Sequence, residues 1–390
     1  MPEPDTTRPW AGVLPTRLLL VGCSARMLAQ SASRAGIRTL AIDHYGDADT
    51  RTHAERVRVV PSRDGSFEQA ALLSASKALA PAGDIHLVYG SGIDSRPELL
   101  ESLERIYPVI GNTAATQRVY RDPRAFFPLL HACGIPYPEV RYRLPSDPGN
   151  WLVKSGCSEG GKCVRLCAHE PTGLDEYYQR RIEGIVHSAL FLANGSEATL
   201  VGISDLWMLG SGERPFLFVG AIVADECTQS WRNRLQTWID RLVHATHLKG
   251  LNCMDFMIDR QGALHVLEIN ARPSATMALY DPDFRRGLLA SHILAAQHGY
   301  LDEAPASGMA RAFRVMFTKR RISVTHRTDW PAWVADRPQA GTVVEAGQPL
   351  CTIQAESLSR HAVLALIKQR SARLQDIVPG AAIDPPPPHQ

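Results

Sequence analysis

Two apolar segments, "LNCMDFMID" (251–259) and "LHVLEIN" (264–270), are separated only by "RQGA" (260–263). Short apolar runs around a glycine-containing turn read as paired strands, so the stretch is expected to fold back on itself as a hairpin. An acid interrupts each run: Asp255 in the first and Glu268, thirteen residues later, in the second. Side chains of a strand alternate between faces, so Glu268, Asn270 and Arg272, spaced two apart, are expected on one face, with Asp255 opposite Glu268. Two carboxylates that close repel unless a cation lies between them, and carboxylates beside an amide oxygen form a hard-oxygen set suited to Mg²⁺. For the triplet alone, a solvated polar face is the plain alternative.

A dication held by two or three protein oxygens keeps positions for phosphate. The stretch "KSGCSEGGK" (154–162) reads as the matching cradle: a strand ending in Lys154, then Ser155, Gly156, Ser158, Gly160 and Gly161. Glycines let backbone N–H groups approach phosphate oxygens, and Lys154 adds a point charge. It is not a Walker A loop, because no "GK[ST]" opens a helix. An ordinary hairpin turn is the alternative.

Upstream, "RLLLVGC", "SARMLAQSASRAG" and "IRTLAID" read as strand, helix and strand, with Gly36 as a helix stop. Further buried strands are expected at 85–92 and 107–112, and helices at 66–80 and 95–106. This alternation implies a parallel sheet with ligand-binding loops at "GCSAR" and "GSGIDS". Gly22 alone is no dinucleotide fingerprint. In "GSGIDSRPE", substrate binding and a helix cap by Ser95 remain equal alternatives. Helix follows at 113–135, a linker at "CGIPYPEV", and near the end a strand-rich segment with a helix at 359–375.

The 390 residues allow two or three domains, and 45% hydrophobic with 21% charged residues is an ordinary globular balance. A formal net charge of +2 argues against nucleic acid as a partner. No stretch approaches the roughly 20 apolar residues of a membrane span. With no signal peptide and eight scattered cysteines read as reduced thiols, a cytoplasmic location is expected. Cys157, Cys163 and Cys167 with His169 lack the paired C-x₂-C spacing of a zinc site. His244, His247 and His265 read as core or surface residues.

In this order, the glycine-loop lysine, the segment "YQRRIEG" (178–184), the acidic strand and the Glu-x-Asn-x-Arg strand resemble the ATP-grasp superfamily over residues 110–300. The resemblance implies an α/β (α+β) fold. A tail (1–15) precedes a Rossmann-like domain (16–112), and an ATP-grasp domain (113–300) carries a glycine-loop lid at about 140–185. A small closing domain (308–378) and a disordered tail (379–390) follow. It implies ATP and Mg²⁺, with Mn²⁺ as a substitute, as cofactors. Lys154, Ser155, Gly156, Ser158, Gly160 and Gly161 would hold phosphate. Gln179 would meet the adenine amino group, the backbone of Arg180 and Ile182 would complete that pocket, and His187 would fall near the ribose. Asp255, Glu268 and Asn270 would carry the metal, and Arg272 would stabilise the transferred phosphoryl group. Departures are Gln179, where an acid is common, and Arg121 or Arg124 in place of a helix lysine.

The family mechanism implies an acyl phosphate, made from ATP and a carboxylate and then displaced by an amine. "DRPQAGTVVEAGQPLCTIQAE" (336–356) is similar to the closing domain of biotin carboxylase and its purine-pathway relatives, but those follow their motif with Gln-Val-Glu, where this chain reads "RPSAT". Segments 177–195, 199–207 and 216–223 resemble ATP-grasp proteins of tetrahydromethanopterin- and methanofuran-linked one-carbon metabolism. That resemblance implies a ligase joining a small-molecule carboxylate, glutamate first, to an amine, and a homodimer is compatible with it. A biotin-carboxylase-like carboxylating enzyme and a non-catalytic ATP-binding protein are the alternatives.

Overall fold

Parallel strands β1 (Arg17–Val21), β2 (Arg38–Asp43), β3 (Arg56–Val59) and β4 (His86–Tyr89) form a sheet in the order β3-β2-β1-β4. Leu18, Leu19, Leu20 and Val21 are all fully buried, as expected of a parallel strand covered on both faces. Leu18 and Leu20 face one core and Leu19 and Val21 another. Helices α1 (Arg26–Arg34), α2 (Ala48–His53) and α3 (Gln69–Leu79) connect these strands, and α4 (Pro97–Glu104) follows β4. Gly36 takes φ +73° just after α1. The computed structural model describes residues 12–381 except 63, 64, 82, 84, 157, 158, 168–175, 211, 213, 226, 227 and 306. Most of both tails, together with Cys157, Ser158 and His169, lies outside the described residues.

Two local expectations change. The segment 107–112 contributes only an isolated parallel bridge, Val109 to Leu87, rather than a regular strand. β3 and α2 had no expectation attached; β3, "RVRV", is too polar to stand out as a buried strand. Helix α4 begins after Arg96 with no side-chain cap, so Ser95 is not its cap.

Helices α5 (Ala114–Arg121) and α6 (Pro123–Ala132) lead to a small antiparallel sheet in the order β5-β8-β6-β7. Its strands are β5 (Val140–Arg141), β6 (Trp151–Ser155), β7 (Arg165–Leu166) and β8 (Glu176–Arg180). It has its own core of Trp151, Val153, Cys167 and Tyr178. After Arg180 the chain crosses through Arg181–Glu183 into a second, eight-stranded antiparallel sheet, so "YQRRIEG" is the connection between two sheets.

The large sheet contains β9 (Gly184–Asn194), β10 (Ala198–Met208), β11 (Phe218–Val223), β12 (Lys249–Asp259) and β13 (Leu264–Asn270). It continues through β14 (Ala310–Phe317), β16 (Val334–Ala335) and β18 (Pro349–Ser357), while β15 (Ile322–Ser323) and β17 (Val343–Val344) pair separately. The strand-rich C-terminal segment thus extends the sheet that carries the acidic hairpin. Helices α7 (Gln229–Thr246), α8 (Met277–Tyr280), α9 (Leu288–His298) and α10 (Arg360–Ile377) complete the fold. On β9, Leu190 and Leu192 turn toward α9 and α1, while Ala189, Phe191 and Ala193 turn toward α7. Among the described residues no helix is long and apolar enough to cross a membrane.

Asn112 fastens the N-terminal unit to the hairpin. Its amide nitrogen reaches Asn252 Oδ1 (2.7 Å) and the carbonyls of Lys249 and Ala271 (both 3.1 Å), and its oxygen accepts from Lys249 N (2.9 Å). Asn112→Ala would leave these buried groups unpaired. It is expected to lower unfolding free energy by roughly 1–3 kcal/mol, read as a drop in urea midpoint at unchanged m-value.

Candidate active site

The hairpin is present with the expected register: β12 and β13 pair antiparallel, with Asp255 opposite Glu268 and Cys253 opposite Asn270. The register slips between Asp255 and Phe256, whose partner is Val266. This bulge has a consequence that strict alternation would miss. Leu264 and Val266 point into the α7-side core, where alternation would also send Glu268 and Asn270, yet Ile269 and Ala271 fill that core instead. The extra residue, Leu267, reverses the parity and turns the acid and the amide toward Asp255.

Asn270 Nδ2 donates to both Asp255 Oδ2 and Glu268 Oε1 at 3.1 Å. The strand ends at Asn270, so Arg272 lies in the following turn rather than on the strand face. It still returns to the site, with Nη2 3.3 Å from Asn270 Oδ1. Arg121 Nη2 approaches the same oxygen at 3.4 Å. Arg124 instead stacks over Tyr142 at 4.3 Å, so of the two arginines it is Arg121 that faces this cluster.

Burial and the Glu268 charge push the Asp255 carboxyl well above the usual carboxylate range. Burial acts on Glu268 in the same direction, but the charges of Lys154 and Arg121 outweigh it and hold Glu268 below its ordinary value. Paired hard-oxygen donors with one carboxyl driven toward its neutral form fit a divalent cation, which would relieve the repulsion. In the present orientation Asn270 shows its nitrogen to the acids and its oxygen to the arginines. To serve as a ligand, the amide would have to turn over.

On the glycine loop, Lys154 Nζ lies 3.2 Å from Gln179 Oε1. A Cβ on Gly156 would stand 2.0 Å from the Arg121 carbonyl, and one on Gly161, at φ +72°, 1.9 Å from the Phe216 carbonyl. Gly160, also in the left-handed region, accepts from Phe218 N at 2.9 Å. These glycines therefore allow the loop to press against the protein's own backbone. Ser155 ends β6 opposite Glu176.

Gln179 is buried, and its Nε2 has no hydrogen-bond partner among the described residues. With its oxygen occupied by Lys154, the free amide group is a donor, which matches a ring-nitrogen acceptor rather than an amino group. The backbone N–H of Arg180 is taken by the Glu139 carbonyl (2.8 Å) and that of Arg181 by the Asn150 carbonyl (2.9 Å). The Arg180 side chain turns away to Asp147 (2.7 Å). Ile182 lies half-buried in the inter-sheet connection. His187 stacks on Phe256 at 5.2 Å, with Nδ1 2.9 Å from Asp205. Asp205 also takes Arg360 Nη2 at 2.6 Å.

Two residues that the sequence did not single out complete the cluster. Asp94, at the carboxyl end of β4, is fully buried and takes Arg272 Nε (2.8 Å) and Arg121 Nη2 on one oxygen. Glu159, on the glycine loop, accepts from Gly92 N at 2.8 Å. The signal for Asp94 was its place in "GSGIDS" at a strand end of the parallel sheet. For Glu159 there was none, because an acid in a phosphate loop is contrary to charge.

A carboxyl raised in the folded state stabilises below its ordinary value, and that contribution is lost as pH rises through the raised value. Metal-free protein should therefore lose Asp255-dependent stability as pH climbs above the carboxylate range, the Glu268 contribution lying below that range. Since Mg²⁺ displaces the proton, the Mg²⁺-induced rise in Tm should grow with pH across the same interval. Thermal unfolding should show this growth in wild type and lose it in Asp255→Asn; a pH-independent Mg²⁺ effect would contradict it.

Residues 122–276 match a family model described as an ATP-grasp domain. No curated protein sequence gives a significant match. Rhizobium etli pyruvate carboxylase superposes with a TM-score of 0.70 at 14% identity over 92% of this chain, which spans 39% of that protein's length. The biotin carboxylase domain of Hydrogenobacter thermophilus 2-oxoglutarate carboxylase, solved with MgADP, ADP and bicarbonate, gives 0.69 at 12% identity over 94% of this chain and 90% of its own. Thermotoga maritima N5-carboxyaminoimidazole ribonucleotide synthetase gives 0.65 at 12% identity, covering 92% and 98%. Residues 122–276 thus match an ATP-grasp domain, and the mixed α/β chain as a whole shares its fold with these structures.

Proposed function

We propose that the protein is an ATP-dependent, ADP-forming ligase that activates a carboxylate as an acyl phosphate and transfers the acyl group to an amine. The observation that carries this reading is the Asp255–Glu268 pair, bridged by Asn270 and flanked by Lys154, Arg121 and Arg272. Phosphoryl transfer demands little covalent chemistry from a protein; it demands positioning and neutralisation of developing charge. A buried site with three cations around two metal-ready acids supplies both.

In this reading Lys154 and the backbone of Ser155, Gly156, Ser158, Gly160 and Gly161 hold the ATP phosphates. Gln179, with the inter-sheet connection through Ile182, receives adenine, and His187 stands toward the ribose. Asp255, Glu268 and Asn270 hold Mg²⁺, or Mn²⁺ in its place, which when bound neutralises phosphate charge. Arg272 steadies the transferred phosphoryl group. The finer assignment, glutamate joined to an amine in the making of a tetrahydromethanopterin- or methanofuran-type carrier, rests on the resemblance of segments 177–195, 199–207 and 216–223.

A second reading, carboxylation, is favoured by the similarity to biotin carboxylase domains and to N5-carboxyaminoimidazole ribonucleotide synthetases. Against it stands "RPSAT" where those carboxylases have Gln-Val-Glu after the Glu-x-Asn-x-Arg motif. The experiment is incubation with ATP, Mg²⁺ and hydroxylamine over a panel of carboxylic acids, glutamate first, with bicarbonate alongside. The expected outcome is ADP and hydroxamate with one acid, lowered by on the order of 10²-fold or more in Glu268→Gln. ADP release with bicarbonate alone would favour carboxylation, and absence of ATP binding would overturn both.

A further inference from the structure

Lys154 decides which way the Gln179 amide faces. An ammonium group can only donate, so the Gln179 oxygen turns to it at 3.2 Å and the amide nitrogen is left to face elsewhere. That nitrogen is buried, on a residue only 2% exposed, and among the described residues it has no acceptor. A buried N–H group without a partner forfeits the hydrogen bonds it made to water, so the position calls for an acceptor from outside the chain.

The strand register turns this donor toward the large sheet. Trp151, Val153 and Tyr178 fill the small sheet's own core, and alternation sends Lys154, Tyr177 and Gln179 to its other face. From that face Tyr177 joins a core shared with β9, β12 and β13, and the charge of Lys154 reaches Glu268. The carboxylates that flank Gln179 along the chain are committed elsewhere. Asp147 takes Arg180 at 2.7 Å and Trp151 Nε1 at 2.9 Å, Glu176 pairs with Arg165 at 2.6 Å, and Glu183 with Arg260 at 2.6 Å.

We infer that the base site takes 6-oxopurine nucleoside triphosphates on at least equal terms with ATP, Gln179 Nε2 donating to the oxygen at C6. The inference rests on the ligase reading above, in which Gln179 receives the base. Adenine carries an amino donor at C6 and offers acceptors only at its ring nitrogens; a 6-oxopurine carries an acceptor at C6 itself. An acid at position 179 would accept from the amino group and so select adenine. An amide whose oxygen is held by Lys154 presents the opposite polarity, which makes Gln179 a specificity-determining residue for the nucleotide.

The test is equilibrium binding of ATP and of ITP, its 6-oxo counterpart, to the full-length protein with Mg²⁺, followed by titration calorimetry. Wild type is expected to bind ITP as tightly as ATP or more tightly. Gln179→Glu should move the ratio toward ATP by on the order of tenfold, the worth of one hydrogen bond made against one lost. Gln179→Met, which removes the donor and supplies no strong acceptor, should weaken ITP more than ATP. Weaker binding of ITP than of ATP by wild type, or the same ratio in all three proteins, would overturn the inference and leave the ligase reading intact. Binding of neither nucleotide by wild type would overturn the ligase reading and the inference with it.

Discussion

Two carboxylates facing each other across a buried β-ladder set the terms for everything around them. Asp255 and Glu268 are brought together by the pairing of β12 with β13, and their repulsion in a low-dielectric setting has to be met by positive charge or by a proton. The protein meets part of it with Lys154 and Arg121, whose charges act on Glu268, and with Asn270 bridging both acids. The remainder appears as the raised Asp255 carboxyl. The pair fits a cation, and the fold keeps the hairpin in place by burying the opposite faces of its strands under α6 and α7.

Around that pair the three sheets meet through side chains rather than through shared strands. The parallel sheet sends Asp94 from the end of β4, α5 sends Arg121, the turn after β13 sends Arg272, and the glycine loop of the small sheet sends Lys154 and Glu159. The glycines at 156 and 161 permit contacts with the chain's own carbonyls that no side chain could share. The connection at 181–183 is where the small sheet joins the large one.

Much of this was legible because apolar alternation, short turns and acids in apolar strands leave a strong pattern. The hairpin, the strand–loop–strand of the glycine segment and the strand–helix order of the first hundred residues all follow from it. The bulge at Leu267 did not show, because one extra residue in a ladder leaves no mark in a single strand's pattern; Arg272, which alternation puts on the strand face, lies in the turn because the strand stops at Asn270. Segment 107–112 was apolar enough for a strand, but its Asn112 instead spends its side chain stapling Lys249, Asn252 and Ala271. Asp94 and Glu159 lie 65 residues apart, and only the tertiary fold makes them neighbours.

The most direct test of the account is a crystal structure of the protein with MgATP or a non-hydrolysable analogue. The account predicts a metal about 2.0–2.1 Å from oxygens of Asp255 and Glu268, with the Asn270 amide turned over to present Oδ1 and the phosphates under Lys154. A nucleotide bound away from the hairpin, or a metal held by phosphate without either acid, would contradict it.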